Sequence, residues 1–170
     1  MPRVGVALVV AQTALGCPVS GLMAADAALR AKLMTVDDLR SAAAALSGRK
    51  GSGHLGVVLR LADGRRESPL ESRTALTYDA WQLALEPQFR EPGTRYRADG
   101  RIVGTRVLVE SDGKGKYDEP GALFREKQRE DEVRSLDWEL VRVTDELLDR
   151  PGVLLARTRK ALRRTARRLA

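Results

Sequence analysis

The sequence predicts a mixed α/β chain of the α+β kind: a helical N-terminal segment, then a small mixed sheet flanked by helices. Three observations lead there. Val107-Leu108-Val109 is an apolar run of strand length that stops at the turn signal Asp112-Gly113. Trp138 to Val143 alternates as a half-buried strand does. Helix-start signals stand at Thr35-Val36-Asp37-Asp38 and at Ser68-Pro69-Leu70-Glu71. After Ser68 the order helix, strand, strand, helix, strand, helix implies a mixed sheet with helices against it.

The first third reads as helical. Val6, Val9, Val10 and Thr13, then Leu22, Met23, Ala27 and Leu29, form apolar faces broken at Gly16-Cys17-Pro18. The apolar stretch from Val4 to Leu15 is too short to span a bilayer and is preceded by one Arg, so a buried helix is expected rather than a signal peptide. Thr35 opens a helix to about Leu46, with Asp38 standing in for the Glu of a capping box. Gly48 to Gly53 is a basic, Gly-rich break that lacks the spacing of a phosphate-binding loop. His54, the sole histidine, follows it at the start of a short helix, without partners that would suggest chemistry.

Ser68 fits an N-cap, Pro69 the first helical position and Glu71 the third, for a helix to about Ala84. Beyond it, Glu86 to Arg90 reads as a short strand, with turns at Pro92-Gly93 and Asp99-Gly100. Extended segments follow at Arg101 to Val103 and Arg106 to Ser111, then a charged helix from Gly121 to Leu136. Thr144-Asp145 caps a short turn, and Pro151 starts a last helix to about Leu169. The expected division is a helical segment over residues 1–66 and a second domain over residues 67–170.

The 170 residues carry a net charge of +7, and Arg157 to Arg168 holds seven basic residues and no acid. That balance favours a polyanionic partner. Cys17 is the only cysteine, which excludes an intrachain disulfide and a thiolate zinc cluster, and points to a reducing, cytoplasmic setting. On a strand ending at Ser111, Glu110 and Asp112 project from one side. Two carboxylates so close repel unless a cation or proton lies between them, and a hard ion such as Mg²⁺ suits oxygen ligands. The bland alternative is a solvated Glu beside an Asp-Gly turn.

Four segments carry a resemblance: Ser68-Pro69-Leu70-Glu71-Ser72-Arg73, Val109 to Tyr117, Glu126 to Asp131, and Leu136 to Thr144. In that order and spacing, residues from about Ser68 onward resemble actinobacterial endonuclease-like proteins related to the very-short-patch-repair endonuclease. Those proteins belong to the restriction-endonuclease-like, PD-(D/E)XK superfamily. Longer relatives begin with a winged-helix, antitoxin-type domain that has no counterpart here.

The resemblance implies a restriction-endonuclease-like fold and Mg²⁺-dependent hydrolysis of DNA phosphodiesters. Glu71, Glu110 and Asp112 would be metal ligands, with Lys127 joining them in catalysis. Lys114, Lys116 and Arg142 would meet nucleic-acid phosphates. The superfamily's strand aspartate, which precedes the central strand, has no good match: its hairpin is expected to be missing, and Asp99 is read as a turn residue. Three readings therefore stand: a metal-dependent endonuclease, a binding module with an impaired site, and a truncated relative without activity. DNA is the expected partner, a protein partner or homodimer is allowed, and no membrane is involved.

Overall fold

The computed structural model describes residues 3–91, 96–113 and 136–168. The chain divides into two compact units, Met1–Leu76 and Thr77–Ala170. The division falls inside a helix rather than at the expected 66/67 boundary.

The first unit is helical. Helices α1 (Arg3–Gly16), α2 (Pro18–Arg30), α3 (Val36–Ala45) and α4 (Ser52–Leu61) pack around a mostly aliphatic core. The break predicted at Gly16-Cys17-Pro18 separates α1 from α2, with Pro18 at the first helical position. Ala7, Val10, Ala11 and Ala14 line the buried side of α1, and Leu22 and Ala25 that of α2. A side chain on Gly21 would collide with the backbone of Ala14, so this glycine lets α1 and α2 approach closely. The capping box predicted at Thr35 is formed: the Thr35 hydroxyl accepts from the Asp38 amide, and the Asp38 carboxylate accepts from the Thr35 amide. His54 Nδ1 lies 3.1 Å from the Leu15 carbonyl oxygen, a structural tie between α4 and the end of α1.

A buried ion pair joins α2 to the segment before the next helix. Asp26 Oδ2 accepts from Arg66 Nη1 at 2.9 Å and from the Ser72 hydroxyl at 2.7 Å. Its Oδ1 accepts from the Asp63 amide at 2.8 Å. Both side chains of the ion pair are nearly inaccessible, so the charges depend on one another rather than on water.

Helix α5 (Pro69–Ala80) carries the chain from one unit to the next. It ends four residues before the expected Ala84, because Gln82 adopts φ 60 and closes the helix in a left-handed cap. The Leu83 and Gln82 amides donate back to the Tyr78 and Asp79 carbonyls, as a Schellman closure requires.

The second unit holds a four-stranded sheet in the order β1 (Leu85–Arg90), β2 (Arg97–Ile102), β3 (Val107–Ser111) and β4 (Glu139–Val143). The first two junctions are antiparallel and β3–β4 is parallel, which makes the sheet mixed, as the sequence predicts. A short helix α6 (Asp145–Leu148), capped by Thr144, and the long α7 (Pro151–Arg168) complete it. One sheet face buries Ile102, Val107, Val109, Val141 and Val143 with Leu154 and Ala161 of α7 and with Tyr78. The other buries Leu108, Ala98, Tyr96 and Trp138, with Phe89 and Leu140 against them.

Three expectations are corrected here. Asp99-Gly100 is not a turn but the middle of β2, and the turn lies later, at Gly104 with φ 75. β2 pairs with β1 and runs directly into β3, so a strand bearing an acid does precede the strand of Glu110. Leu136, expected inside a helix, is exposed and lies in a turn. The rest of the expected helix, residues 121–135, lies outside the described residues, as do Lys114, Lys116 and Lys127.

Candidate nucleic-acid interface

Strand alternation places Leu108, Glu110 and Asp112 on one side of β3. Across the parallel junction, Glu110 is in register with Arg142 of β4. The ladder runs one step further, since the Asp112 amide donates to the Val143 carbonyl at 2.8 Å. This holds the Asp112 carboxylate beside the Arg142 guanidinium, with Nη1–Oδ2 at 3.2 Å. Glu110 Oε1 accepts a 2.6 Å hydrogen bond from the Tyr96 hydroxyl.

Asp99 has its own task. Paired register between β2 and β3 covers Arg101 with Leu108 and Gly100 with Val109. One step on, Asp99 Oδ2 accepts from the Ser111 amide at 2.8 Å, doing what a ladder carbonyl would have done. An Asp-Gly pair is such a common turn signal that it masked a strand residue whose side chain continues the sheet.

Glu71 belongs to the unit Met1–Leu76 and is engaged at the start of α5. Its Oε1 accepts from the Ser68 hydroxyl at 2.9 Å and its Oε2 from the Glu67 amide at 3.1 Å. The Glu71 amide in turn donates to the Ser68 oxygen. The capping signature read from the sequence accounts for these bonds without chemistry.

Asp99, Glu110 and Asp112 are all carboxylates, the donor type that Mg²⁺ takes. Their arrangement is another matter. Among the described residues, no three Asp, Glu, His or Cys side chains gather closely enough to hold a metal ion. A guanidinium already neutralises Asp112, and Asp99 and Glu110 are turned to the Ser111 amide and the Tyr96 hydroxyl. As placed, these residues do not fit the cation.

The cationic side of the unit is better assembled. Arg142 of β4 also lines a groove whose other walls are Glu139, Leu140 and Val141 of β4 and Arg157, Lys160, Ala161 and Arg164 of α7. Helical spacing puts Arg157, Lys160 and Arg164 on one face of α7, three and four residues apart. Leu154, Thr158, Ala161 and Thr165 turn inward and fix that face against the sheet. Glu139 holds two of the cations: Oε2 lies 3.3 Å from Arg164 and Oε1 3.1 Å from Arg168. Among the described residues, no carboxylate pairs with Arg157 or Lys160. The basic last helix was legible in the sequence, but the Glu139 clamp was not, because it joins residues on two separate elements.

Two Mycobacterium tuberculosis proteins are similar to this chain. They are named Uncharacterized protein MT2308, from strain CDC 1551 / Oshkosh, and Uncharacterized protein Rv2248, from strain ATCC 25618 / H37Rv. Each is 31% identical over 145 residues, which covers 82% of this chain and 53% of the relative. The chain thus spans about half the length of the curated relatives it matches. No family model matches the chain, and no solved structure matches it with significance. Among the described residues no helix is long and apolar enough to cross a membrane.

Proposed function

We propose that the chain is a nucleic-acid-binding module, related to the endonuclease-like proteins it resembles, that holds a DNA phosphate backbone in the β4–α7 groove. The observation that carries this reading is the row Arg157, Lys160 and Arg164 on one face of α7, lining one groove against a single acid, Glu139. Guanidinium and ammonium groups at such spacing meet successive phosphates and release condensed counterions, so affinity would fall steeply with salt. Glu139 stiffens the far end of the groove by holding Arg164 in place. Contacts of this kind fall on phosphates, so the binding expected of them is sequence-independent.

The test is fluorescence anisotropy with labelled duplex DNA over a salt series. Binding should weaken linearly in log–log form, and a Lys160→Gln/Arg157→Gln double variant should flatten the slope by roughly 1–2 units. A double variant that binds as the parent does would refute the groove.

A second reading is metal-dependent phosphodiester hydrolysis, favoured by one observation. Asp99 lies on the strand that precedes and pairs with the strand of Glu110, where the resemblance calls for an aspartate. Incubating supercoiled DNA with Mn²⁺ or Mg²⁺ decides between the readings. Nicking that disappears in Glu110→Ala and Asp99→Ala makes this an enzyme, and salt-sensitive binding without nicking leaves it a binding module.

A further inference from the structure

Glu139 opens β4 on the side of the sheet that faces α7, in phase with Val141 and Val143, which pack there. Its backbone is fixed in the sheet, opposite Val107, with its amide donating to the Arg106 carbonyl at 3.0 Å. Its carboxylate divides between two cations of α7: Oε2 lies 3.3 Å from Arg164 Nη1 and Oε1 3.1 Å from Arg168 Nη2. The Glu139 side chain is 13% exposed, whereas those of Arg164 and Arg168 are 55% and 41% exposed. A largely covered acid thus holds two guanidiniums that stay open to solvent.

We infer that Glu139 is a positioning residue, which draws Arg164 and Arg168 into a two-guanidinium fork for one backbone phosphate and so extends the groove to Arg168. The inference rests on the groove reading proposed above and names what the far end of that groove takes. Arginines four apart on a helix are neighbours that repel, and an anion between them lets them converge. Glu139 is that anion. Each guanidinium carries five N–H donors and gives one nitrogen to Glu139, so donors remain for phosphate oxygens. Two opposing effects set the sign of its contribution. One carboxylate repelling a phosphate through water at about 7 Å weakens binding about threefold. Ordering two long side chains in advance strengthens it about fivefold to a hundredfold. The pairs are half exposed and hold the arginines only in part, so the expected net gain is about threefold.

The experiment is a mutant cycle read by duplex-DNA anisotropy at several salt concentrations. Glu139→Gln keeps the side chain's shape and removes a negative charge, yet it should weaken binding about threefold. In an Arg164→Gln/Arg168→Gln background the same substitution should no longer weaken binding, because no guanidinium remains to position. Tightening by Glu139→Gln in the parent would be a plain charge effect and would overturn the inference while leaving the groove intact. Equal weakening in both backgrounds would place the role of Glu139 in the strand rather than the fork, and would also overturn it. Arg164→Lys/Arg168→Lys, which leaves the sheet untouched, gives a second check. It keeps both charges but loses the planar donors, so affinity should fall while the salt slope stays as in the parent. Parent-like affinity in that variant would refute the fork. Absence of DNA binding by the parent would overturn the groove reading and the inference together.

Discussion

The Tyr96 hydroxyl donates to Glu110 Oε1 at 2.6 Å, tying the start of β2 to the end of β3 across the face that carries Leu108. Tyr96 is buried and its hydroxyl meets a charged acceptor, so the bond belongs to the stronger class. Tyr96→Phe should cost roughly 1–3 kcal/mol in urea denaturation. Glu110→Gln, which keeps an acceptor oxygen, should cost less than Glu110→Ala. A Tyr96→Phe variant with the parent's urea midpoint would show that the bond contributes nothing net.

The buried pair of the first unit makes a prediction of the opposite kind, one of dependence on a partner. Asp26→Ala leaves Arg66 buried without its carboxylate and should cost about 3–5 kcal/mol. Burial pushes the Asp26 carboxyl above its ordinary range, against the pull of Arg66, the Asp63 amide and the Ser72 hydroxyl. A raised folded-state pKa gives stability that is fully present below the unfolded value and lost as pH rises through the folded one. The deficit of Asp26→Ala relative to the parent should therefore widen as the solution is acidified. Urea titrations of both proteins across the acid range test this, and a narrowing deficit contradicts it.

Tyr78 makes an alkaline prediction for the second unit. Thr158 Oγ1 donates to the Leu154 carbonyl, so the Tyr78 phenol is the donor in its 2.9 Å bond to Thr158. Burial pushes this phenol up to about 12. Stability from Tyr78 is complete below the unfolded value of about 10 and should be lost as pH climbs towards about 12. Absorbance of tyrosinate should show a phenol that ionises only as the unit unfolds. Tyr78→Phe should remove that component and cost about 1 kcal/mol at neutral pH.

The elements that the sequence made legible are those whose signals are local. Thr35 and Ser68 start helices because a hydroxyl beside an acid three residues on satisfies free amides wherever it occurs. Val107 to Val109 and Val141 with Val143 are strands because alternation and burial leave them no other use. What stayed hidden depends on partners distant in sequence. The role of Asp99 depends on Ser111, that of Asp112 on Arg142, and that of Glu139 on two arginines of α7. The helix end at Ala80 was missed for a related reason: Gln82 enters the left-handed region without the glycine that usually announces it.

One irregularity in the sheet reaches further than its size suggests. Pro87 pairs with Gly100 and Phe89 with Ala98, the register passes over Gln88 and Asp99 between them, and Gln88 has φ 54. Ile102 lies on the α7 face, yet Ala98, four residues back on the same strand, lies on the other. The interruption takes one residue from each strand, so the pairing resumes in step while both strands change face together. A lineage of such chains could add or lose residues here only in matched pairs. An unpaired deletion at Gln88 or at Asp99 would put one strand out of phase, turning Tyr96 away from Glu110 or Phe89 away from Trp138.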